Sequence, residues 1–449
     1  MEIVESKNYQ KRVVIVGAGF AGLTLAKKLS PKHFQVVLLD KNNYHQFQPL
    51  LYQVATGGLD AGSISFPLRK VFHKKKNVFI RIAEVKEVQP EKNILVTTIG
   101  EISYDYLVLA HGAETNYFGM QDVQQHAFSM KSISEALLLR NTLLQNYEQA
   151  LNTNSNHERS ALLNIVVVGG GPTGVELAGA IAEMKNKILP RDYPELNISQ
   201  MKISLVEAAP RLLNGMSEEL GMKVEEYLGS LGVKVITHSS VSKYDGESVI
   251  LKDGKTLYSR CVIWAAGVKG TKMMGLPASA LLPNHRVIVD GYNKVKGLEN
   301  VYAIGDVSTM PGGKFPKGHP QVAPVAMQQA TLLAENLGRI ENNNQLKTFE
   351  YRDKGSMATV GRNLAVVQVG RIKVKGFIAW LTWMMVHLLS IIGVKNRLII
   401  LINWIWQYVT YDQALRLIIR PSERKVKNNM HEKVVGTTLV HNQLASLPT

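Results

Sequence analysis

Two glycine-rich turns, about 150 residues apart, constrain the fold of this 449-residue chain more than any other feature. The first reads GAGFAG over residues 17–22 and the second reads GGGPTG over residues 169–174. Each turn follows an apolar run typical of a strand and precedes a sequence typical of a helix. Strand, tight turn and helix in this order form a Rossmann unit, whose glycines let backbone N–H groups approach a pyrophosphate. One such motif is a weak signal, but two in matching contexts predict that the chain holds two nucleotides at once.

An acidic residue follows the second strand of each predicted unit. The apolar run 35–39 ends at Asp40, and the run 202–206 ends at Glu207. A carboxylate at this position accepts hydrogen bonds from ribose hydroxyls. Glu207 would also repel a 2′-phosphate, which favours NADH over NADPH, whereas the nearby Arg211 argues against that preference. The two units together give eight predicted cofactor-binding residues: Gly17, Gly19, Gly22, Asp40, Gly169, Gly171, Gly174 and Glu207.

The cysteine count and the net charge exclude several classes of protein. Cys261 is the only cysteine, so no internal disulfide forms and enzymes that need a redox-active cysteine pair are excluded. The formal net charge of +16 implies an acidic partner. We favour an anionic membrane surface over nucleic acid, because no basic and aromatic RNA-binding motif is present and the C-terminal basic residues flank apolar runs. We predict no metal site, because the histidines are scattered without clustered cysteines or carboxylates.

Three further segments complete a recognisable order of motifs. Residues 104–113 read YDYLVLAHGA, residues 262–268 read VIWAAGV, and residues 301–306 read VYAIGD. With the two glycine turns, this order resembles the two-dinucleotide-binding-domain flavoproteins. In that family the first unit binds FAD and the second binds NAD(P)H. The resemblance implies four more cofactor-binding residues, the last of them beside the flavin ribityl chain: Ala110, Gly112, Gly267 and Asp306.

The same resemblance implies an α/β fold of two Rossmann-like domains, the NADH domain being inserted in the FAD domain. The FAD domain is predicted to cover residues 8–115 and 280–345, and the NADH domain residues 160–279. Residues 346–420 are predicted to form amphipathic helices that anchor the chain to a membrane, and residues 421–449 a polar tail.

Within these flavoproteins, three segments resemble type II NADH:quinone oxidoreductases. They are FQPLLY at 47–52, GVELAG at 174–179 and APVAMQ at 323–328. The family places the first segment near the flavin, uses the glutamate of the second, here Glu176, near the nicotinamide, and binds quinone at the third.

The third segment departs from the family's quinone motif at one position. Pro324 replaces the first glutamine of that motif, so Gln328 is the glutamine that we carry over, and the predicted quinone site comprises Ala323, Pro324 and Gln328. A proline in the first turn of a helix is an alternative explanation for Pro324. Glu176 and Gln328 are the two predicted catalytic residues, although a carboxylate near a helix N-terminus also favours the helix dipole. His45 and His387 are weaker candidates for relaying protons.

Two apolar runs near the C-terminus indicate contact with a membrane. Residues 377–394 carry no formal charge over 18 residues, and residues 398–409 form a shorter run. The two runs contain four of the five tryptophans, and tryptophan favours the headgroup level of a bilayer. We favour a monotopic anchor of two helices in one leaflet over a buried core or homodimer helix, and over a true span. Six basic residues are predicted to meet anionic lipid: Lys373, Lys375, Lys395, Arg397, Arg416 and Arg420.

These observations predict an enzyme that passes a hydride from NADH to FAD and then two electrons to menaquinone or ubiquinone, without pumping protons. A reductase with a soluble acceptor and a membrane-bound nucleotide sensor without turnover are the alternatives. The first six residues have neither a basic segment nor an apolar one, so we expect no secretory signal and a peripheral protein on the cytoplasmic side of the cell membrane.

Overall fold

The first glycine turn lies at the end of the central strand of a five-stranded parallel sheet. The computed structural model describes residues 10–411 and 415–419, and the polar tail predicted at 421–449 lies outside them. Both faces of the sheet are covered, so its strands are mostly apolar; Val13, Val36 and Val108 have no exposed surface. The strand order is Val301–Ala303, Tyr106–Leu109, Lys11–Val16, Phe34–Asp40 and Val78–Ile82.

A second parallel sheet carries the second glycine turn. Its strand order is Val233–Ile236, Ile203–Val206, Ile165–Val168 and Cys261–Trp264. The whole of this sheet lies in sequence between Tyr106–Leu109 and Val301–Ala303, which are paired neighbours in the first sheet. The second unit is therefore inserted in the first, as predicted, while the domain limits stay predictions.

Helices cover the two sheets and form the C-terminal region. In chain order, those of the described residues are α1 (Phe20–Lys28), α2 (Leu51–Ala55), α3 (Leu68–Val71), α4 (Gln121–His126), α5 (Ile133–Asn152), α6 (Asn156–Leu163), α7 (Pro172–Lys187), α8 (Leu189–Asp192), α9 (Glu218–Ser230), α10 (Ala323–Glu341), α11 (Phe377–Ser390) and α12 (Val394–Thr410). Both glycine turns lead directly into a helix, α1 and α7 respectively, as a Rossmann unit requires.

Short strands build the connections between the larger elements. Two three-stranded antiparallel sheets comprise Val85–Gln89, Ile94–Thr97 and Gly100–Ser103, and Val241–Tyr244, Ser248–Leu251 and Thr256–Tyr258. Three strand pairs join Tyr44–Gln46 to Ser65–Pro67, Ala113–Thr115 to Val268–Gly270, and Val287–Ile288 to Ser308–Thr309.

The C-terminal hairpin, Ser356–Gly361 with Leu364–Val369, packs against α7. A third strand, Ile372–Lys375, extends it, and α11 covers this sheet. The packing is very close at Gly179, where a Cβ atom would lie 1.6 Å from the carbonyl oxygen of Val360. Only glycine fits this position without movement of the backbone.

The last two helices differ in extent from the apolar runs that predicted them. The uncharged run 377–394 does not form one helix, because α11 ends at Ser390 and α12 begins only at Val394. Gly393, with φ +83°, allows the bend between them. Two separate helices were predicted, and two are present. Within the described part of the chain, no helix is both long enough and apolar enough to cross a membrane.

Replacing Gly179 with alanine tests the close approach of α7 to the hairpin. The added methyl group would overlap the Val360 carbonyl oxygen, so the helix and hairpin must separate, which costs about 1 to 3 kcal/mol. We expect a melting temperature several degrees below that of the wild type by differential scanning calorimetry.

Gly338→Ala in α10 is the matched control, because nothing lies within 4 Å of a Cβ atom there. Alanine favours a helix over glycine by about 1 kcal/mol, so this variant should melt at or above the wild-type temperature. Equal melting temperatures for Gly179→Ala and wild type would contradict the contact.

Candidate functional site

The first glycine turn is shaped by close backbone contacts and left open where a phosphate would lie. Gly17 has φ +99°, and a Cβ atom on it would lie 2.5 Å from the carbonyl oxygen of Ala110. A Cβ atom on Gly22 would lie 1.8 Å from the Gly17 carbonyl oxygen. At Gly19, by contrast, nothing lies within 4 Å of a Cβ atom. Gly19 is the N-cap of α1 and makes no side-chain capping bond, so the first N–H groups of the helix are available to an anion.

The second glycine turn repeats this geometry. Gly169 has φ +114°, and its Cβ atom would lie 2.5 Å from the carbonyl oxygen of Ala265. A Cβ atom on Gly174 would lie 1.9 Å from the Gly169 carbonyl oxygen, while Gly171 faces open space as the N-cap of α7. Both turns therefore fit a dinucleotide pyrophosphate.

Each acidic residue at a strand end holds its own glycine turn. The Asp40 carboxylate accepts hydrogen bonds from the N–H groups of Ala18 and Asn42, both at 2.7 Å. Burial raises the pKa of Asp40, and these two hydrogen bonds partly offset that rise. In the second unit, the Glu207 carboxylate accepts hydrogen bonds from the N–H group of Gly170 and from a second N–H group in its own loop. Sequence reasoning assigned both carboxylates to ribose and missed this bond to the turn.

Arg211 is the basic residue that bears on the choice between NADH and NADPH. Its guanidinium donates to the carbonyl oxygens of Met216, at 2.9 Å, and Asn214, at 3.4 Å. The guanidinium is therefore engaged by its own loop, which weakens the argument for NADPH.

The predicted Ile-Gly-Asp segment meets the first glycine turn. A Cβ atom on Gly305, which has φ +76°, would lie 3.1 Å from Ala21 Cβ and 3.3 Å from Ala326 Cβ in α10. Burial raises the pKa of the adjacent Asp306, and the charges of Lys131 and Arg286 partly lower it. Among the residues described, no hydrogen-bond donor contacts the Asp306 carboxylate, which leaves it for a ligand.

Gly112 and Gly267 follow the strands that flank the two glycine turns. They have φ +77° and +141°, which only glycine adopts readily. Nothing lies within 4 Å of a Cβ atom on Gly112, and only the edge of the Phe118 ring comes near Gly267, at 3.6 Å. Both positions are thus open enough for a cofactor.

Glu176 lies where α7, the C-terminal hairpin and α11 meet. Its Oε1 atom accepts hydrogen bonds from Trp383 Nε1 at 3.1 Å and from the Thr359 N–H at 3.5 Å. Burial raises the pKa of Glu176 to about 8, although both bonds favour the ionised form. The carboxyl group is therefore mostly protonated at neutral pH. Neither hydrogen bond involves Oε2.

A cavity of about 130 Å³ adjoins Glu176. It lies between α2, α7, the C-terminal hairpin and the last two helices, and six of its 20 lining residues are aromatic. Six further side chains that line it are Tyr52, Glu183, Lys187, Arg362, Trp380 and Trp404. Sequence reasoning predicted Glu176 but missed the cavity, because its walls come from five separate parts of the chain.

The predicted quinone motif lies in the first turns of α10. Ala323 and Pro324 are its first two residues, so the helix-start explanation for Pro324 fits the structure. The Gln328 amide donates a hydrogen bond to the backbone carbonyl oxygen of Arg352 and accepts one from its N–H group, both at 3.0 Å. In the described structure, Gln328 does not line the cavity beside Glu176. The quinone role of these three residues stays a prediction. The neighbouring Gln329, which sequence reasoning missed, is buried and accepts from the Gly305 N–H at 2.7 Å.

Both candidate relay histidines are bonded to backbone carbonyl oxygens. His45 Nδ1 lies 2.9 Å from Ala18 O, and His387 Nδ1 lies 2.8 Å from Trp383 O. Burial lowers the pKa of each to about 4, so both rings are neutral at pH 7. Across residues 10–411 and 415–419, no three His, Cys, Asp or Glu side chains are grouped to hold a metal ion.

Comparisons with known proteins agree with this geometry. Residues 11–330 match the pyridine nucleotide-disulphide oxidoreductase family, and residues 354–410 match the NDH2 C-terminal domain. The structure of NDH2 from Plasmodium falciparum in complex with NADH superposes with a TM-score of 0.84 at 23% identity, covering 92% of this chain and 100% of that one. This likeness confirms the predicted fold.

Curated relatives are similar over most of their length. The type II NADH:quinone oxidoreductase Ndh of Mycobacterium tuberculosis is 36% identical, over 88% of this chain and 87% of its own. The type II NADH:quinone oxidoreductase of Staphylococcus aureus is 30% identical, over 80% of this chain and 90% of its own. The resemblance predicted from the motifs is confirmed, and the chain belongs to the type II NADH:quinone oxidoreductases of the pyridine nucleotide-disulphide oxidoreductase family.

Proposed function

We propose that this protein oxidises NADH and reduces a membrane quinone, with FAD at the first glycine turn and NADH at the second. The observation that carries the proposal is the position of the buried Glu176 carboxyl group, which lies on the helix that starts at the second glycine turn and lines a cavity with several aromatic side chains. When bound, FAD accepts a hydride from NADH and returns two electrons to the quinone.

The first unit supplies the residues for FAD. We assign the pyrophosphate to the N–H groups after Gly19, a ribose to Asp40, and the ribityl chain to Asp306. The FAD domain then comprises residues 8–115 and 280–345, around the five-stranded sheet.

The second unit supplies the residues for NADH. The N–H groups after Gly171 bind its pyrophosphate, and Glu207 accepts from a ribose hydroxyl. The NADH domain comprises residues 160–279. Gly112 and Gly267, at strand ends of the two parallel sheets, would line the place where the two cofactors meet, since Ala113–Thr115 pairs with Val268–Gly270 immediately beyond them.

Glu176 supplies a proton to the quinone. Its Oε1 atom accepts both hydrogen bonds that the protein donates to this carboxyl group. A proton on Oε2 can therefore be donated into the cavity. The aromatic side chains of Tyr52, Trp380 and Trp404 surround this cavity and suit a flat quinone ring. A neutral carboxylic acid is the form needed, because it donates a proton to the oxygen that becomes a quinol hydroxyl.

The last two helices place the protein on a membrane surface. Each buries few side chains, while thirteen large apolar ones are exposed: Phe377, Ile378, Leu381, Met385, Val386, Leu389, Val394, Leu398, Ile399, Ile402, Ile405, Trp406 and Val409. Such a surface is larger than a soluble monomer normally exposes and suits a monotopic anchor. We propose the cytoplasmic face of the cell membrane.

The basic residues near this surface are partly engaged within the protein. Lys373 and Lys375 lie 3.0 and 3.6 Å from the Glu219 carboxylate, and Arg416 pairs with Asp192. Arg397 donates to two carbonyl oxygens at the end of α11, and Arg420 lies outside the described residues. Apolar burial therefore contributes more to anchoring than these charges do.

Anaerobic visible spectra of the purified protein test both half-reactions. Flavin absorbance should bleach when NADH is added and return when a short-chain quinone follows. Bleaching without recovery would favour a reductase with a soluble acceptor. No bleaching at all would favour a nucleotide sensor without turnover.

Glu176→Gln should slow quinone reduction about 100-fold without changing the rate of bleaching by NADH. Glutamine keeps the Oε1 acceptor for Trp383 and Thr359 but has no acidic proton. In the wild type, stopped-flow reoxidation should slow as the pH rises through about 8, where Glu176 ionises. The glutamine variant should lose this step.

Trp383→Phe provides the control for the pH step. It removes a hydrogen bond that favours ionised Glu176, so the pKa should rise further and the step should move to higher pH. A step that stays in place in Glu176→Gln would show that another group is responsible.

Two charges on the exposed helix faces should weaken membrane binding. The double variant Leu389→Asp and Ile402→Asp prevents two aliphatic side chains from entering the leaflet, so we expect at least about tenfold less binding to phosphatidylglycerol vesicles in a sedimentation assay. Ile99→Asp, at an exposed apolar residue in the turn between the strands Ile94–Thr97 and Gly100–Ser103, is the control and should bind as the wild type does. Equal binding by the double variant would refute the anchor.

A further inference from the structure

A second carboxylate lies on the same face of α7 as Glu176. Glu183 follows it by seven residues, which is two helical turns or about 10 Å along the axis. Both residues line the same cavity. Glu176 is buried, whereas Glu183 is partly exposed, so the cavity has an inner and an outer carboxyl group.

The C-terminal hairpin holds both carboxylates in the same way. Glu176 accepts from the Thr359 N–H, and Glu183 Oε1 accepts from the Arg362 N–H at 2.5 Å. Gly179 lies midway between the two glutamates and allows this close approach. The distance from one carboxyl group to the other is therefore fixed by the fold.

The outer carboxylate lies beside positive charge. Burial raises the pKa of Glu183, while the Arg362 hydrogen bond and the charges of Arg362 and Lys187 lower it. Lys187 is exposed at the end of α7 and lines the cavity too. This end of the cavity can therefore take up a proton from solvent.

Tyr52 lines the same cavity as the two carboxyl groups. Its hydroxyl oxygen accepts from Gln53 Nε2 at 2.9 Å, which leaves the hydroxyl proton free to be donated elsewhere. Burial raises the pKa of this phenol, and the charges of Glu176 and Glu183 raise it further, so both carboxylates are within electrostatic reach of one hydroxyl group. The ring is fixed by burial and by an edge contact with Trp383, at 6.3 Å between centroids.

We propose that Glu183 and Tyr52 relay protons from solvent to Glu176. The proposal rests on the proposed function, in which Glu176 gives its proton to a quinone oxygen. Tyr52 then passes its hydroxyl proton to the Glu176 carboxylate and takes one from Glu183, which is reprotonated from solvent beside Lys187. One proton moves inwards in each turnover, the other hydrogen of the quinol comes from NADH, and no electrons move along this route. Water in the polar parts of the cavity bridges the gaps that the side chains do not span.

A purely structural role explains less of this arrangement. A glutamine at position 183 would accept the Arg362 hydrogen bond equally well and would place no ionisable group in a partly desolvated position. Likewise, a phenylalanine at position 52 would fill the same space and would lose only the hydrogen bond from Gln53.

Glu183→Gln is the main test, with Glu225→Gln on the exposed face of α9 as the matched control. In anaerobic stopped-flow, bleaching by NADH should be unchanged, and reoxidation by a short-chain ubiquinone should slow about tenfold. The solvent deuterium isotope effect on reoxidation should increase, and added acetic acid should restore part of the rate. Wild-type reoxidation, isotope effect and acid response in Glu183→Gln would overturn the relay.

Tyr52→Phe is the second test and keeps the ring in place. The same slow, isotope-sensitive reoxidation is expected, so the proposal stays testable even when Glu183→Gln does not fold. A wild-type rate in Tyr52→Phe would remove the phenol from the route. Failure of the wild-type protein to be reoxidised by quinone would overturn the proposed function itself, which separates that failure from failure of the relay.

Discussion

The close contact between α7 and the C-terminal hairpin is the constraint on which the site depends. Gly179 brings the helix backbone against Val360, and only at this distance can hairpin N–H groups bond the carboxylates one turn above and one turn below. The same contact positions α11, whose Trp383 completes the environment of Glu176. A dinucleotide-binding helix is thereby joined directly to the region that carries the exposed apolar surface. The chemistry of the second unit and its proposed membrane contact therefore share one packing interface.

The two Rossmann units show how a repeated turn acquires different roles. Both turns use the same backbone contacts, and both are held by a carboxylate that accepts from the second residue of the turn. The helices that follow differ. Two residues after the last glycine of each motif, α1 has Thr24 and α7 has Glu176; five residues after it, α1 has Lys27 and α7 has Gly179. With lysine there, α1 cannot approach a hairpin backbone as α7 does, and it packs along α10 instead. The difference between the units thus lies in the helix face and not in the glycine turn.

Much of the fold follows from local sequence, and much of the site does not. The strand, turn and helix units and the two C-terminal helices each have a signal within a few tens of residues, whereas the insertion was implied by the family resemblance. The surroundings of Glu176 have none, because Trp383 lies 207 residues away and its indole donor becomes relevant only once α11 packs on the hairpin. Gln328 shows the converse: its place in a motif predicts a ligand contact, whereas its amide bonds the backbone of Arg352. Gly179 is the one local signal that could have indicated the contact with the hairpin, since a glycine inside a helix weakens the helix unless close packing requires it.

Keeping a carboxyl group at position 176 lowers the stability of the protein at neutral and alkaline pH. The folded-state pKa of about 8 lies above the ordinary value of 4.5, so the folded chain binds this proton more tightly than the unfolded chain does. Its contribution to stability is therefore complete below pH 4.5 and is lost as the pH rises through 8, a loss on the order of 5 kcal/mol at high pH. A glutamine would keep the Trp383 and Thr359 hydrogen bonds without that loss. The side chain that is best for folding differs here from the one that can donate a proton, and such a conflict is expected at a functional site.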